Sequence, residues 1–236
     1  MWSQQNMTEE MLFEMPSFRD SLAEMGVGLI WIAPGIDQQW DVRKGTQKVF
    51  DQMVNDLAEV SGYTELREVP LIPFGHSAMA TFPWNFAAWN PERTLAVVSF
   101  HGDAPRTNLC GYGRENLEWG RTRNIDGIPG LMIEGEYEWW EARVNPALAF
   151  RMMYPESCIS FLCDTGRGHF DVSEQTARYI SPFYPESTGA TLACRWRENA
   201  EESGPGCRLA GTALVARRTY KAGYSCTGSA LQGRCA

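Results

Sequence analysis

VPLIPFGHSAMA, residues Val69–Ala80, is the stretch from which the rest of the chain can be read. An apolar run from Val69 to Phe74 stops at Gly75. Ser77 follows two positions later, and the small residues Ala78 and Ala80 lead into a helical pattern. A continuous apolar run closed by a turn signal predicts a buried strand. The order is therefore strand, tight turn carrying Ser77, then helix. Such a turn lifts one hydroxyl to the carboxyl end of a sheet, beside the free N–H groups of a helix start, where a developing oxyanion can be held. The pattern is G-x-S-x-G with Met79 in place of the second glycine. That glycine ordinarily lets helix and strand approach closely, so Met79 is a departure the fold has to accommodate.

Working outward, Met11, Leu12, Met15, Phe18, Leu22 and Met25 fall at helical spacing and predict one helix over Met11–Met25. Leu29–Ala33 is apolar throughout and reads as a buried strand, and Trp2–Gln5 reads as a strand stub. Asp41–Val60 predicts a helix stopped by Ser61-Gly62. After Ser77 a helix is predicted to Trp89, with Pro83 kinking it or forcing a 3₁₀ start. Thr94–Phe100, Ile128–Glu134 and Ser157–Cys163 are further strands, with helices over Trp139–Met153 and Ser173–Ile180. Short strands apolar on both faces, alternating with helices, predict an α/β domain. Its sheet is mostly parallel, with helices on both faces and sites at the carboxyl ends of strands. The irregular stretch 104–127 reads as a lid or insertion.

A chain of 236 residues suits one domain. A net charge of −8 excludes a basic nucleic-acid-binding surface. No apolar run reaches the roughly 18 residues of a membrane span. Trp2–Glu10 is polar and acidic, unlike a signal peptide, and the compartment stays undecided. The seven cysteines include no C-x-x-C pair, which argues against a zinc site and for buried free thiols. Cys158 and Cys163, five apart on one apolar run, fall on opposite faces of a strand. Nothing points to a metal or an organic cofactor.

Three strand ends carry reactive side chains in the order Ser77, Glu138, His169. A histidine can take the serine proton, and a carboxylate can fix that histidine's tautomer and stabilise its imidazolium. Asp103, after another strand, is the alternative acid. His101 is the rival base, although it precedes the irregular stretch. Asp164 reads as structural. The residues Gly75-His76-Ser77-Ala78, Gly135-Glu136-Tyr137-Glu138 and Gly168-His169-Phe170 resemble the serine esterase and lipase-like branch of the α/β-hydrolase superfamily. The second matches that family's strand-end G-E-x-D with Glu for Asp, and the third its late G-H-F. The likeness runs from about residue 2 to residue 182. Over Asn6–Ser181 the chain looks like a group of bacterial α/β-hydrolase-like proteins.

The resemblance implies hydrolysis of a small-molecule carboxylic ester by Ser77, with Glu138 and His169 completing a triad. Small acyl groups and acylated carbohydrates are the candidate substrates. A non-catalytic hydrolase-like binding protein, or an inactive fragment, is the competing reading. The hydrolase resemblance implies an oxyanion hole made by the Ala78 N–H and a second N–H from Asn6, with Gln5 as alternative. Trp40, Trp119, Trp139 and Trp140 lie in or beside strand-end loops, where they form either a stacking platform or ordinary packing. Arg106, Arg114, Arg121 and Arg123 either attract a substrate anion or are solvated.

The resemblance also implies strands ahead of residue 1, whose absence would leave an exposed sheet edge. From about residue 183 the pattern changes. Beyond Thr188 the chain carries seven Lys and Arg against three Glu, and four of the cysteines. This 183–236 tail reads as foreign to the 1–182 domain, a frameshifted or fused terminus. A small disulfide-bearing appendage and a disordered tail are the competing readings.

Overall fold

The computed structural model describes residues 1–4, 7–107, 115–120, 125–138 and 140–188. Among these residues six strands form one sheet: β1 (Trp2–Gln4), β2 (Ile30–Ile32), β3 (Pro73–His76), β4 (Val97–Phe100), β5 (Pro129–Gly135) and β6 (Cys158–Asp164). The order across the sheet is β2-β1-β3-β4-β5-β6 and every pairing is parallel. The α-helices are α1 (Met7–Phe13), α2 (Pro16–Glu24), α3 (Thr46–Ser61), α4 (Phe82–Trp89), α5 (Trp140–Met153) and α6 (Glu174–Thr188).

Side chains alternate across a strand, so consecutive apolar residues feed two cores. Trp31, Phe74, Val98, Phe100, Leu131 and Ile133 face Leu12 and Phe13 of α1, Phe18 and Leu22 of α2, and Ala177 and Ile180 of α6. On the other face Trp2, Ile30, Ile32 and Val97 meet Phe50 and Met53 of α3 and Trp84 and Phe86 of α4. Met132 and Ile159 meet Ala147 and Phe150 of α5 there. Helices thus cover both faces, and each crossover returns the chain to the same end of the sheet.

Several boundaries differ from the sequence expectation, each for a local reason. The helix expected over Met11–Met25 is two helices. Pro16 has no N–H to donate and clashes with the preceding turn, so Met15 is extended and α2 restarts with the proline in its first turn. The helix expected from Asp41 begins as a 3₁₀ turn, Val42–Lys44, and only becomes α after Gly45, which is left-handed. The decisive strand begins at Pro73 rather than Val69 and runs through His76; Leu71 makes an isolated bridge to Thr94. Strand β1 is interior, because β2 pairs on its outer side.

Helix α6, capped by Ser173 Oγ on the Thr176 N–H at 3.1 Å, continues through residue 182 to Thr188. The domain boundary expected at 182 therefore falls inside a helix. Cys158 and Cys163 are free and exposed rather than buried, because they lie on β6, the last strand of the sheet. The other five cysteines and residues 189–236 lie outside the described residues. No helix among the described residues is long and apolar enough to cross a membrane.

Candidate active site

β3, β5 and β6 deliver Ser77, Glu138 and His169 to one end of the sheet. Ser77 follows β3 directly and opens a 3₁₀ turn, Ser77–Met79, so Pro83 is accommodated as a 3₁₀ start followed by α4. Its φ is +53°, a left-handed conformation that costs a non-glycine residue on the order of 1–2 kcal/mol. The close approach that the missing glycine would permit is provided by two other glycines. A Cβ on Gly75 would lie 2.1 Å from the Met79 carbonyl oxygen. One on Gly102, just beyond β4, would lie 1.8 Å from the Ala80 Cβ. Met79 can therefore keep its side chain, which packs against the core around Trp2 and Phe86.

His169 Nε2 lies 2.6 Å from Ser77 Oγ, and His169 Nδ1 lies 2.7 Å from Glu138 Oε2. Both ring nitrogens are thereby occupied. The His169 side chain is 25% exposed and that of Glu138 only 4%, so the serine–histidine end is open while the carboxylate is dry. Asp103 is fully buried; its carboxylate accepts from Thr81 Oγ1 at 3.3 Å, and its carbonyl from Trp84 Nε1 and Ser99 Oγ. Asp164 accepts from Thr176 Oγ1 at 2.5 Å and from backbone N–H groups of Glu136 and Arg167, pinning the turns that carry Glu138 and His169.

The other two histidines hold the third by its backbone. His76 Nε2 lies 2.7 Å, and His101 Nδ1 2.9 Å, from the His169 carbonyl oxygen. An acceptor can only be met by N–H donors, so His76 is protonated on Nε2 and His101 on Nδ1. His101 Nδ1 also lies 3.3 Å from Glu138 Oε1. His101 is thus a clamp rather than the base facing Ser77. Behind the elbow, buried Glu9 accepts from the His76 N–H and from Ser3 Oγ, each at 2.8 Å. Burial raises its carboxyl well above the usual range.

Two residues here had no role in the sequence expectation. Arg143 of α5 is 3% exposed, and its Nη1 reaches Glu138 Oε2, Glu134 Oε2 at 3.1 Å and the His101 carbonyl at 2.9 Å. Arg143, Ala147 and Phe150 are all buried on one side of α5. A charge at helical spacing on an apolar stripe was the available signal. Glu134 lies near the end of β5, 1% exposed. Burial pushes it up to about 8 against the pull of Arg143. Burial also pushes Glu138 up, but the His169 hydrogen bond, the neighbouring His101 and the Arg143 charge together outweigh it and hold Glu138 below the ordinary carboxylate value.

The chain is similar to solved structures of carboxylesterases and other α/β hydrolases. The Bacillus cereus carboxylesterase matches with a TM-score of 0.40 at 12% identity, over 60% of this chain and 60% of that one. The chain thus spans about 60% of that protein's length. Est1E from Butyrivibrio proteoclasticus matches with a TM-score of 0.48 at 15% identity, over 80% and 86% of the two chains. A phospholipase/carboxylesterase from Dyadobacter fermentans matches with a TM-score of 0.38 at 16% identity, over 62% and 68%. No protein-family model and no curated protein sequence matches the chain.

Two of the four tryptophans expected to form an aromatic platform, Trp40 and Trp119, lie in the core. Trp40 is fully buried among Trp2, Phe50 and Phe86, with ring centroids 4.8–5.5 Å away. Trp119 is 1% exposed, donates to Asn85 Oδ1 at 2.6 Å and packs on Phe150. Neither has a free face for a sugar, so both are corrected to core. Arg106 is half-buried, with its guanidinium over the Trp119 and Tyr154 rings and hydrogen-bonded to the Tyr154 hydroxyl. It braces the loop after β4 instead of awaiting an anion. Ala78 directly follows Ser77 and is half-buried. Gln5, Asn6, Trp139, Arg114, Arg121 and Arg123 lie outside the described residues, as does the Trp140 side chain.

The buried ionisable groups set a pH signature for stability. Burial holds His76 down at about 3 and lowers His101, so the folded chain refuses protons that unfolded histidines accept near 6.5. Their contribution is complete above about 6.5 and is lost as pH falls towards about 3. Glu134 acts in the opposite sense. Folded, it keeps until about 8 a proton that it loses near 4.5 when unfolded, so its contribution declines as pH rises through that window. Urea midpoints measured against pH are expected to pass through a maximum. Glu134→Gln should flatten the alkaline side and His76→Gln the acid side; unchanged slopes in both variants would contradict these assignments.

Proposed function

We propose that this chain is a serine hydrolase that cleaves a small-molecule carboxylic ester through an acyl-enzyme. The observation that carries this reading is the continuous relay Ser77 Oγ, His169 Nε2, His169 Nδ1, Glu138 Oε2, with successive separations of 2.6 and 2.7 Å. Ser77 Oγ attacks the ester carbonyl while His169 Nε2 takes its proton. Glu138 stabilises the imidazolium without itself becoming protonated. The tetrahedral oxyanion is received by the Ala78 N–H, with a second N–H from Asn6 or Gln5. His169 then protonates the departing alcohol, which leaves an acyl group on Ser77. Water, deprotonated by the same histidine, attacks that acyl group, releasing the acid and restoring the hydroxyl. Small acyl groups and acylated carbohydrates remain the substrate classes to screen.

The test is labelling with a fluorophosphonate and mass mapping of the modified peptide. An adduct on Ser77 that disappears in His169→Ala is the expected result. A cooperatively folded sample that takes no label would overturn the reading.

A further inference from the structure

Arg143 is a buried cation whose reach the relay does not explain. Its Nη1 carries two hydrogens and stands among three acceptors: Glu138 Oε2, Glu134 Oε2 and the His101 carbonyl. One positive charge is therefore shared by two carboxyls inside the protein, where removing one partner of a buried pair leaves an uncompensated charge. We propose that Arg143 is a positioning residue for Glu138: anchored on the His101 carbonyl, it holds Glu138 as the carboxylate turned to His169, and leaves Glu134 as the carboxyl that keeps its proton. This inference rests on the hydrolase reading above.

Three features support the division of roles. Glu138 receives three donors from different parts of the fold: Arg143 from α5, His169 from the loop after β6, and the Gly135 N–H at 3.1 Å from the end of β5. Glu134 receives Arg143 on Oε2, while its Oε1 is buried with no partner. An ionised carboxylate with one bare oxygen in a dry site is costly, and a neutral carboxyl there costs much less. The remaining acids nearby, Asp103 beyond β4 and Asp164 at the end of β6, add only negative charge. Arg143 is accordingly the one permanent cation facing this group among the described residues.

The consequence is a pH profile. The acid limb of serine reactivity reports the coupled Glu138–His169 pair. Removing a cation from beside that pair raises its proton affinity and moves the limb upward. The measurement is the rate of fluorophosphonate labelling at Ser77 as a function of pH. It is made on the full chain and on Arg143→Lys, Arg143→Gln and the double variant Arg143→Gln/Glu134→Gln. Arg143→Gln is expected to move the acid limb up by about one pH unit. The double variant, in which a neutral amide replaces a carboxyl that already holds its proton, is expected to move it by the same amount. Arg143→Lys, which keeps the charge, should leave the limb in place. A merely structural arginine would slow labelling at every pH without moving the limb, and a double that moves the limb by less than the single would show an ionised Glu134 and overturn the division of roles.

If Arg143→Gln does not melt cooperatively, the double variant carries the measurement, and a limb unchanged from the parent overturns the inference. An unlabelled parent overturns the hydrolase reading instead, so the two failures are distinguishable.

Discussion

Replacing Ser77 with alanine is expected to lower ester hydrolysis by about 10⁶-fold in kcat, to the level left by binding and oxyanion stabilisation alone. The size follows from the proposed role. Without Oγ there is no acyl-enzyme, and His169 and Glu138 have nothing to activate, so one deletion removes the whole relay. The fold should not suffer, because Ser77 is only half-buried and alanine occupies the same φ of +53° at a similar cost. A companion Ser77→Gly chain should be equally inactive and more stable by about 1 kcal/mol, since glycine adopts that conformation without a Cβ penalty. Initial rates on short-chain p-nitrophenyl esters and urea midpoints on the same samples check both statements. A Ser77→Ala chain that turns over at a tenth or more of the parental rate would remove Ser77 from the chemistry.

Strain at Ser77 is part of a wider arrangement at this end of the sheet. His101, directly after β4, also has a positive φ, +49°. Two neighbouring parallel strands thus end in left-handed residues, and Gly102 and Ala80 touch between them. The rings of His76, His101 and His169 cluster at this end of the sheet, with centroids 5.0–6.3 Å apart. Positive φ at a non-glycine persists only where surrounding structure over-determines it. Here that structure is the Glu9 carboxyl on the His76 N–H and the Ile133 carbonyl on the His101 N–H.

The sheet was legible because each parallel strand is buried on both faces and so reads as an apolar run. Strand ends were legible because Gly75, Gly102 and Gly135 follow those runs. That placed Ser77, Glu138 and His169 at one edge before any coordinates. Less visible were features set by partners distant in sequence. Trp40 and Trp119 sit in loop-like stretches, yet other parts of the chain fold over them and make them core. Cys158 and Cys163 lie in an apolar strand, yet its position at the end of the sheet exposes them. Pro16 split a helix whose apolar spacing continued across it, while α6 ran on through Pro182 and Pro185. Arg143 sits in a helix with many polar residues, and only the return of α5 over β5 brings it between two carboxyls. Spacing along one element predicts which face is buried; it does not show what waits on the other side.

Glu138→Gln is the second large effect, expected to lower kcat by about 10⁴-fold. The amide is nearly isosteric, but its chemistry at this position is inverted. The Gly135 N–H takes Glu138 Oε1 while Arg143 Nη1 and His169 Nδ1 share Oε2, so an amide that keeps its oxygen on the Gly135 N–H turns its NH₂ towards Arg143 and towards His169 Nδ1. That nitrogen must then accept, which moves the ring proton to Nε2, facing Ser77, where it blocks proton abstraction. The change also removes the negative charge that stabilises the imidazolium. Glu138→Asp keeps charge and tautomer but withdraws the carboxylate by one methylene from a ring now 2.7 Å away. A displacement of that order should cost about 10²-fold. Asp103→Asn supplies the opposing test. Were Asp103 the acid, it would carry the 10⁴-fold loss and Glu138→Gln would be mild. Because both His169 nitrogens are already occupied, by Glu138 and Ser77, the larger loss is expected at Glu138, read as single-turnover acylation rates of the three variants side by side.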